Sequence, residues 1–336
     1  MTRDVGGVLL EPAFGPATAA LRSYLTPAGG DGGEPDIRVR WGDVAVDRPT
    51  RTVARRLEVA LSGPPTLFWS SAAGLPVDVK ATWEGGRLTL TASLARNRRE
   101  QLLRLARPQR LPQQLLYLLG IYPSAWVARH RHGAVLLHAS AVVLDGHGLL
   151  VAGPGGVGKS SLAAAALSLG GYLVSDNLVL ATADRVRGWR EPVRLTTGPS
   201  DRAAGLTEVG GNGWHGRRDH LLAEDRWAPS LRPQLVLLPS LAGRAAVHPE
   251  QDAAAFAARL VDLGSLAGEL TRWPAFATAL NSLDDRPVVA PQDTVARLLS
   301  GVPLRRVDLS RTTDPDALRQ LVRSLIDDLP TGVTNP

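Results

Sequence analysis

The chain has 336 residues, enough for two domains, and its 44% hydrophobic and 21% charged residues are typical of an ordinary globular protein. It contains no cysteine, which excludes disulfide bonds, thiolate catalysis and cysteine-bound metals. The net charge is +6, but no nucleic-acid-binding motif accompanies it, so no nucleic-acid partner is predicted. The first residues lack a signal-peptide pattern and no apolar run has transmembrane length, so we expect a cytoplasmic protein without membrane association.

Residues 1–130 are predicted to form a β-rich N-terminal domain that ends in helices. Polar and apolar residues alternate over 36–41 and 87–91, as they do in half-buried strands. Residues 96–130 are rich in leucine and arginine and are predicted to be helical. No catalytic pattern is found in this region, so substrate docking and packing alone are both open roles for it.

A second domain, residues 131–330, is predicted to be α/β. It opens with the apolar strand 134–144, and the turn 145–148 leads into a second apolar strand, 149–152. The segment 161–169 is rich in alanine and leucine and is followed by two glycines, which predicts a helix that ends there.

The loop between this strand and this helix matches the P-loop motif G-x-x-x-x-G-K-[ST]. Its glycines let backbone N–H groups approach a phosphate, and the helix N-terminus adds positive partial charge there. Lys159, one of only two lysines in the chain, is predicted to reach the β- and γ-phosphates of ATP, and the Ser160 hydroxyl to hold Mg²⁺. The predicted nucleotide-binding residues are Gly153, Gly155, Gly156, Val157, Gly158, Lys159, Ser160 and Ser161.

The remaining elements follow from shorter patterns. Residues 198–230 carry glycines, aromatic residues and basic residues with little periodicity, which predicts a long loop. This loop is either a lid over the phosphates or an ordinary surface insertion. Further strands are predicted at 172–175, 178–181, 235–238 and 304–309, and helices at 252–263, 266–283, 293–299 and from Pro315 after an Asp314 cap.

Asp176 is the carboxylate best placed for chemistry. It ends the strand that follows the loop helix, and parallel α/β sheets bind their ligands at strand ends. Phosphoryl transfer needs Mg²⁺ and a group that orients the acceptor hydroxyl, so Asp176 is the predicted catalytic residue. His138 lies in the apolar strand before the loop, where it is either a satisfied core histidine or a buried imidazole beside the site.

The stretch 137–160, followed by 172–177, resembles the C-terminal domain of the HPr kinase/phosphorylase family. In that family a histidine-containing strand forms a hairpin into a P-loop, and a pair of aspartates follows the helix. The resemblance covers about residues 134–180. It implies a kinase that uses ATP and Mg²⁺, with Asp176 near the acceptor hydroxyl, His138 beside it as a second catalytic residue, and a homo-oligomeric assembly.

The chain also differs from that family. Asn177 stands at the position of the second aspartate, where its uncharged side chain can still ligate a metal through the carbonyl oxygen. Ser160 with Asp176 or Asn177 is therefore the predicted Mg²⁺ site. The later Glu-Ile-Arg-Gly signature is not recognisable. Residues 189–195 lie where a counterpart is expected, with Glu191 as a candidate metal ligand and Arg190 and Arg194 as candidate phosphate contacts.

Among members of the group, the chain looks most like the HPr-kinase-related proteins associated with ribosomally made peptides. That resemblance implies a Ser or Thr hydroxyl of a peptide or protein as the acceptor. A small-molecule kinase and a catalytically inactive nucleotide-binding regulatory protein are the alternatives.

Overall fold

A computed structural model describes residues 8–10, 37–54, 57–72, 77–94, 115–196, 204–210, 217–243, 246–266, 273–284, 289–310 and 314–329. The chain divides into two compact units, one comprising Met1–His132 with Thr271–Val288, the other Gly133–Leu270 with Val289–Pro336. The described helices are α1 (Tyr122–His132), α2 (Lys159–Ser168), α3 (Ala253–Leu266), α4 (Trp273–Asn281), α5 (Pro291–Leu298) and α6 (Pro315–Asp327). None of these helices, nor any other in the described ranges, has the length and apolarity needed to span a bilayer.

The first unit contains a seven-stranded sheet. The strand order is β1-β2-β7-β6-β5-β4-β3. Inward and outward side chains alternate regularly along β6, because successive residues of a strand point to opposite faces. The strands are β1 (Val8–Leu10), β2 (Ile37–Trp41), β3 (Thr50–Ala54), β4 (Leu57–Ala60), β5 (Thr66–Trp69), β6 (Val77–Glu84) and β7 (Arg87–Leu94).

Aromatic side chains join the helices of the first unit to its sheet. Trp126 of α1 is fully buried and meets Trp83 of β6 edge to face, with ring centroids 5.1 Å apart. Phe276 of α4 lies between Tyr122 and Trp69, at 5.6 and 6.0 Å. A single π-helical turn, Tyr117–Ile121, precedes α1, and the rest of the predicted helical region, 96–114, lies outside the described residues.

The placement of α4 corrects the sequence-based division of the chain. The prediction assigned everything from 131 to 330 to the second domain, whereas the segment 271–288 belongs to the first unit. The physical reason is that Trp273 and Phe276 pack their rings against Tyr122. Such a return of the chain is a tertiary contact that local patterns do not encode.

The second unit is built on a nine-stranded mixed sheet. The order is β16-β12-β11-β8-β9-β17-β19-β18, and β10 also pairs with β8. The central strand β9 is antiparallel to β8 and parallel to β17, which is in turn parallel to β19. The strands are β8 (Val135–Leu144), β9 (His147–Ala152), β10 (Tyr172–Ser175), β11 (Leu178–Ala181), β12 (Val186–Gly188), β16 (Ser230–Leu231), β17 (Pro233–Leu241), β18 (Ala246–Glu250) and β19 (Leu304–Leu309).

Helices cover both faces of this sheet. The core on one face contains apolar residues of α2 and α6, and the core on the other contains residues of α3 and α5. Helix α6 begins as predicted, because the Asp314 carboxylate accepts the N–H of Asp316 at 2.9 Å and Pro315 occupies the first turn. The structure is therefore a mixed α/β fold with several sheets.

The segment 198–230 corrects a second prediction, because its described part is not an irregular loop. Strands β14 (Leu206–Gly210) and β15 (Arg217–Leu222) form a three-stranded antiparallel sheet with β13 (Val193–Thr196). Leu206 and Leu222 belong to the same core as α2, and this apolar packing orders the segment. Trp214 and His215, which motivated the lid interpretation, lie outside the described residues.

Candidate functional site

The glycine-rich loop connects β9 to α2 at the edge of the sheet where β9 ends. Gly156 and Gly158 have φ angles of 83° and 102°, in a region that other residues rarely adopt. Gly158 is the N-cap of α2 and offers no side chain to the first helical N–H groups. The N-terminal amides of α2 therefore meet the loop with their positive partial charge uncapped by a side chain, as an anion site needs.

Lys159 lies at the base of this loop. Only 6% of the residue is exposed, and its ammonium donates to the carbonyl oxygens of Gly153 and Pro154, both at 2.9 Å. A buried ammonium is stable only with such partners. The contacts hold its charge against the loop, where a phosphate oxygen can exchange with a carbonyl as the acceptor.

Asp176 is buried beside the loop and receives hydrogen bonds from several elements. The Ser140 hydroxyl of β8 lies 2.9 Å from Oδ1 and 2.8 Å from the carbonyl oxygen of Asp176. The backbone N–H of Arg194 in β13 donates to Oδ2 at 3.4 Å, and the Ser160 side chain hydrogen-bonds to the same carboxyl. The structure thus brings together Asp176, Ser160 and Lys159, three of the predicted site residues.

Burial raises the pKa of Asp176 above its ordinary value. Loss of solvent is the largest cause, and the hydrogen bonds from Ser140, Ser160 and the Arg194 amide, with the charge of Lys159, act in the opposite direction. A carboxylate with a raised pKa is a stronger base than one in water. Asp176 therefore combines a fixed orientation with increased proton affinity.

Asn177 faces a second buried acid. Its side-chain amide donates to Oε2 of Glu191 at 3.4 Å, and Glu191 is only 1% exposed. The uncharged Asn177 therefore lies next to the carboxylate of Glu191. Local sequence patterns do not predict this contact, because residues 177 and 191 are 14 positions apart and are brought together by the tertiary structure.

His138 lies on β8, opposite Leu178 of β11 and two residues before Ser140. Alternate residues of a strand share a face, so His138 and Ser140 are on the same side of β8. The residue is 7% exposed. The structure therefore places the predicted histidine in the buried layer that contains the Asp176 contacts.

Ser140 is the site residue that sequence analysis missed. Its hydroxyl is fully buried and bonds to Asp176 twice. The available signal was its position: it follows His138 by two residues in a strand of otherwise apolar composition, so the two polar side chains share one face.

The two arginines predicted as phosphate contacts form ion pairs within the second unit. Arg190 pairs with Glu224, and the guanidinium of Arg194 lies 3.6 Å from Asp219 of β15. Arg194 instead contributes its backbone N–H to Asp176. Arg226, from the segment interpreted as a lid, donates to the carbonyls of Leu167 and Gly171 at the other end of α2.

The donor set suits a hard cation. Carboxylate, hydroxyl and amide oxygens are the ligands that Mg²⁺ prefers, and it usually takes one or two carboxylates and completes its shell with water and phosphate oxygens. Asp176 and Glu191 supply two carboxylates, while Ser160 and Asn177 supply neutral oxygens. Within the described ranges, no group of three or more His, Asp or Glu side chains is arranged to hold a metal ion by itself.

No protein-family model matches the sequence, and no curated protein matches it. Among solved structures, the chain is similar to the HPr(Ser) kinase/phosphatase from Coxiella burnetii. The identity is 14%, the match covers 57% of this chain and 96% of that chain, and the TM-score is 0.29. A similarity of this size supports no conclusion about function.

Proposed function

We propose that the protein is an ATP-dependent kinase that transfers the γ-phosphoryl group to a hydroxyl. The observation that carries this proposal is the buried carboxyl of Asp176, which contacts Ser160 at the start of α2 and interacts electrostatically with the ammonium of Lys159. A base, a cation and a helix N-terminus at one glycine-rich loop are the parts that phosphoryl transfer uses.

In this proposal the loop and Lys159 bind the nucleotide. The backbone amides of residues 155–161 would hold the β-phosphate. The ammonium of Lys159, which now donates to the carbonyl oxygens of Gly153 and Pro154, would donate to β- and γ-phosphate oxygens instead. Ser160, Asp176 and Asn177 are the ligands we assign to Mg²⁺, with Glu191 supplying a second negative charge through Asn177. Bound there, the ion would neutralise charge on the β- and γ-phosphates.

Asp176 is the group that accepts the proton of the acceptor hydroxyl. Ser140 and the Arg194 amide fix the carboxyl, and its raised pKa favours proton uptake. His138, on the same strand face as Ser140, assists by stabilising the charge that develops there. Reaction rate is accordingly expected to fall as pH decreases through the raised pKa of Asp176.

The acceptor that we propose is a Ser or Thr hydroxyl of a peptide or protein; this choice rests on the sequence resemblance. A small-molecule hydroxyl remains the alternative within the kinase class. The inactive regulatory alternative was based on the missing charge at Asn177. Glu191 weakens that basis, because it puts a carboxylate 3.4 Å from the Asn177 amide.

Mass spectrometry of products tests the proposal. The protein is incubated with Mg-ATP and the peptides encoded in neighbouring genes, and each reaction is repeated with Lys159→Ala and Asp176→Asn. We expect a mass increase of one phosphoryl group on a Ser or Thr that is absent with both variants. Phosphate on a metabolite alone would establish the small-molecule alternative, and normal transfer by Asp176→Asn would overturn the role given to that residue.

A further inference from the structure

A second polar cluster lies on the other side of the glycine-rich loop from Asp176. A cavity of about 330 Å³ opens there, and two of its walls are loop residues Pro154 and Val157. The loop lies close to strand β17: a Cβ atom added to Gly153 would be 3.5 Å from the carbonyl oxygen of Pro239, which is ordinary van der Waals contact. The remaining lining residues come from α3, β17 and β19: Arg259, Leu238, Pro239, Ser240, Leu241, Arg306 and Asp308.

The position of this cavity follows from the sheet order. Strand β9, which leads into the loop, lies between β8 on the Asp176 side and β17 on the cavity side. Because β17 and β19 run parallel to β9, their carboxyl ends reach the same edge of the sheet as the loop. Ligands of α/β sheets bind at this edge. Asp176 and the cavity therefore lie on opposite sides of β9, at the edge of the sheet where such ligands bind.

The carboxylate in the cavity lining, Asp308, has two hydrogen-bond partners. Ser240 donates its hydroxyl to Oδ1 of Asp308, and Nε2 of His248 lies 3.3 Å from Oδ2. These hydrogen bonds and the nearby Arg306 charge hold the pKa of Asp308 below its usual value. A carboxylate can accept about four hydrogen bonds, so each oxygen keeps an acceptor position for a ligand.

The rest of the lining is chemically different. Leu238, Pro239 and Val157 are apolar, and the guanidinium groups of Arg259 and Arg306 are planar cations that stack on aromatic rings. A cavity of this size that combines apolar side chains with a few fixed polar groups is typical of a small-molecule site. A metal ion is disfavoured, because Asp308 is the only carboxylate in the lining and two arginines lie in the same cavity.

We propose that this cavity binds the nucleoside part of the nucleotide, with Asp308 and Ser240 bonding to the ribose hydroxyls and the apolar residues and arginines contacting the base. The inference rests on the proposed nucleotide-binding function of the loop and extends it to the other side of β9. It makes Asp308 a specificity-determining residue for ribonucleotides.

Calorimetric titration separates the ribose contact from the phosphate contact. The intact protein is titrated, with Mg²⁺ present, with ATP, with 2′,3′-dideoxy-ATP and with inorganic tripolyphosphate, which probes the loop alone. We expect the wild-type protein to bind ATP about tenfold or more tightly than dideoxy-ATP, as the loss of hydrogen bonds to a charged group implies. Asp308→Asn should reduce this ratio to about threefold or less and leave tripolyphosphate affinity unchanged.

Two further variants complete the design. Ser240→Ala is expected to reduce the ratio partly, and it tests the proposal independently if Asp308→Asn folds poorly. Asp145→Asn makes the same charge change in the β8–β9 turn, at the opposite end of β9 from the loop, and should keep the wild-type ratio. Asparagine suits this turn because Asp145 has a positive φ of 48°.

The outcomes are distinguishable. Equal wild-type affinity for ATP and dideoxy-ATP overturns the ribose contact, and so does an equal loss of ATP and tripolyphosphate binding in Asp308→Asn. A ratio that falls as far in Asp145→Asn as in Asp308→Asn also overturns it. If the wild-type protein binds tripolyphosphate but shows no ribose preference, only this inference fails; if it binds neither ATP nor tripolyphosphate, the proposed function fails with it.

Discussion

Each unit contains a cluster of hydrogen-bonded polar side chains, and the two clusters are built differently. In the first unit, the Trp126 indole N–H donates to Oδ1 of Asn281 at 3.0 Å, and Nδ1 of His130 lies 3.9 Å from Oδ2 of Asp284. These residues come from α1 and from α4 with the turn after it. The cluster therefore links two helices of one unit.

In the second unit, the partners of Asp176 come from β8, β13 and the start of α2. They converge on one carboxyl at the end of a strand, beside a loop with two left-handed glycines. In the first unit the shared acceptor is a neutral amide, since Oδ1 of Asn281 also lies 3.3 Å from Nε2 of His130. Several donors that converge on a buried acid with a raised pKa are instead the pattern expected of a functional site. The following predictions test this difference, from the largest expected effect to the smallest.

Trp126→Ala should remove a structural link and leave the site intact. Trp126 is fully buried, so truncation is expected to lower the free energy of unfolding by about 3–5 kcal/mol. Mg-ATP affinity of the folded protein should not change. Chemical denaturation and calorimetry measure the two quantities, with Trp126→Phe as a milder control. A loss of Mg-ATP affinity in folded Trp126→Ala would show that the comparison between the clusters is wrong.

Lys159→Ala should impair the site rather than the structural link between helices. We expect turnover to fall by roughly 10²–10³-fold, as for loss of a group that stabilises transition-state charge. The matched control is Lys80→Ala, which removes the only other lysine, in the first unit, where it forms an ion pair with Asp47 at 3.1 Å. Product formation is measured for both variants. Equal loss of turnover in the two would contradict the assignment of Lys159.

Asn177→Asp tests whether Glu191 already supplies the charge at this point of the site. A second carboxylate would face Oε2 of Glu191, where the amide now donates at 3.4 Å. Like-charge repulsion and the lost donor should destabilise the protein by about 1–3 kcal/mol at neutral pH, and the loss should shrink in acid. Thermal melts at several pH values measure this, with Asn177→Ala as the control that only removes the donor. A more stable and more active Asn177→Asp protein would contradict this account.

Glycine substitutions test the loop geometry. Gly158→Ala places a Cβ at a φ of 102° and within 2.7 Å of Leu309 Cδ1, so we expect a loss of about 1–2 kcal/mol and weaker Mg-ATP binding. Gly155→Ala is the matched control, since its φ is not strained and no atom lies within 4 Å of the added Cβ. Chemical denaturation should give a lower free energy of unfolding for Gly158→Ala than for Gly155→Ala. Equal stability would show that the left-handed N-cap is not required.

Although Asp176→Asn should abolish phosphoryl transfer, it is expected to give the smallest change in stability, an increase at neutral pH. Burial raises the pKa of Asp176 in the folded protein above its ordinary value, so between the two pKa values the folded state binds more protons than the unfolded state. Stability is therefore lost as pH rises through that window, and Asn avoids this loss. The difference in melting temperature should be present above the folded pKa and absent below about pH 3. A lower melting temperature for Asp176→Asn at neutral pH would contradict the stated balance of burial over hydrogen bonding.

Much of the local structure could be predicted from the sequence. The strand 304–309 and the start of α6 agree with the prediction, because a short apolar run and an Asp-Pro cap are local signals. The loop between β9 and α2 was placed by its glycines, and the structure confirms the strand before it and the helix after it.

The failures share a physical cause. Strands β14 and β15 were predicted as a loop, because their regular structure depends on packing in the core that contains α2. Helix α4 was assigned to the second domain, although Phe276 packs against Tyr122 of the first unit. Ser140 and the contact of Asn177 with Glu191 depend on strand register, which is a tertiary property. Local patterns predicted the loop and Asp176, whereas the groups that tune Asp176 required the structure.

Calorimetric titration of Mg-ATP into the wild-type protein, Lys159→Ala and Asp176→Asn tests the central claim most directly. The account predicts binding to the wild-type protein, an affinity within about threefold for Asp176→Asn, and a loss of tenfold or more for Lys159→Ala. Absence of binding to the wild-type protein, or equal binding by all three proteins, would contradict the assignment of a nucleotide site to the glycine-rich loop.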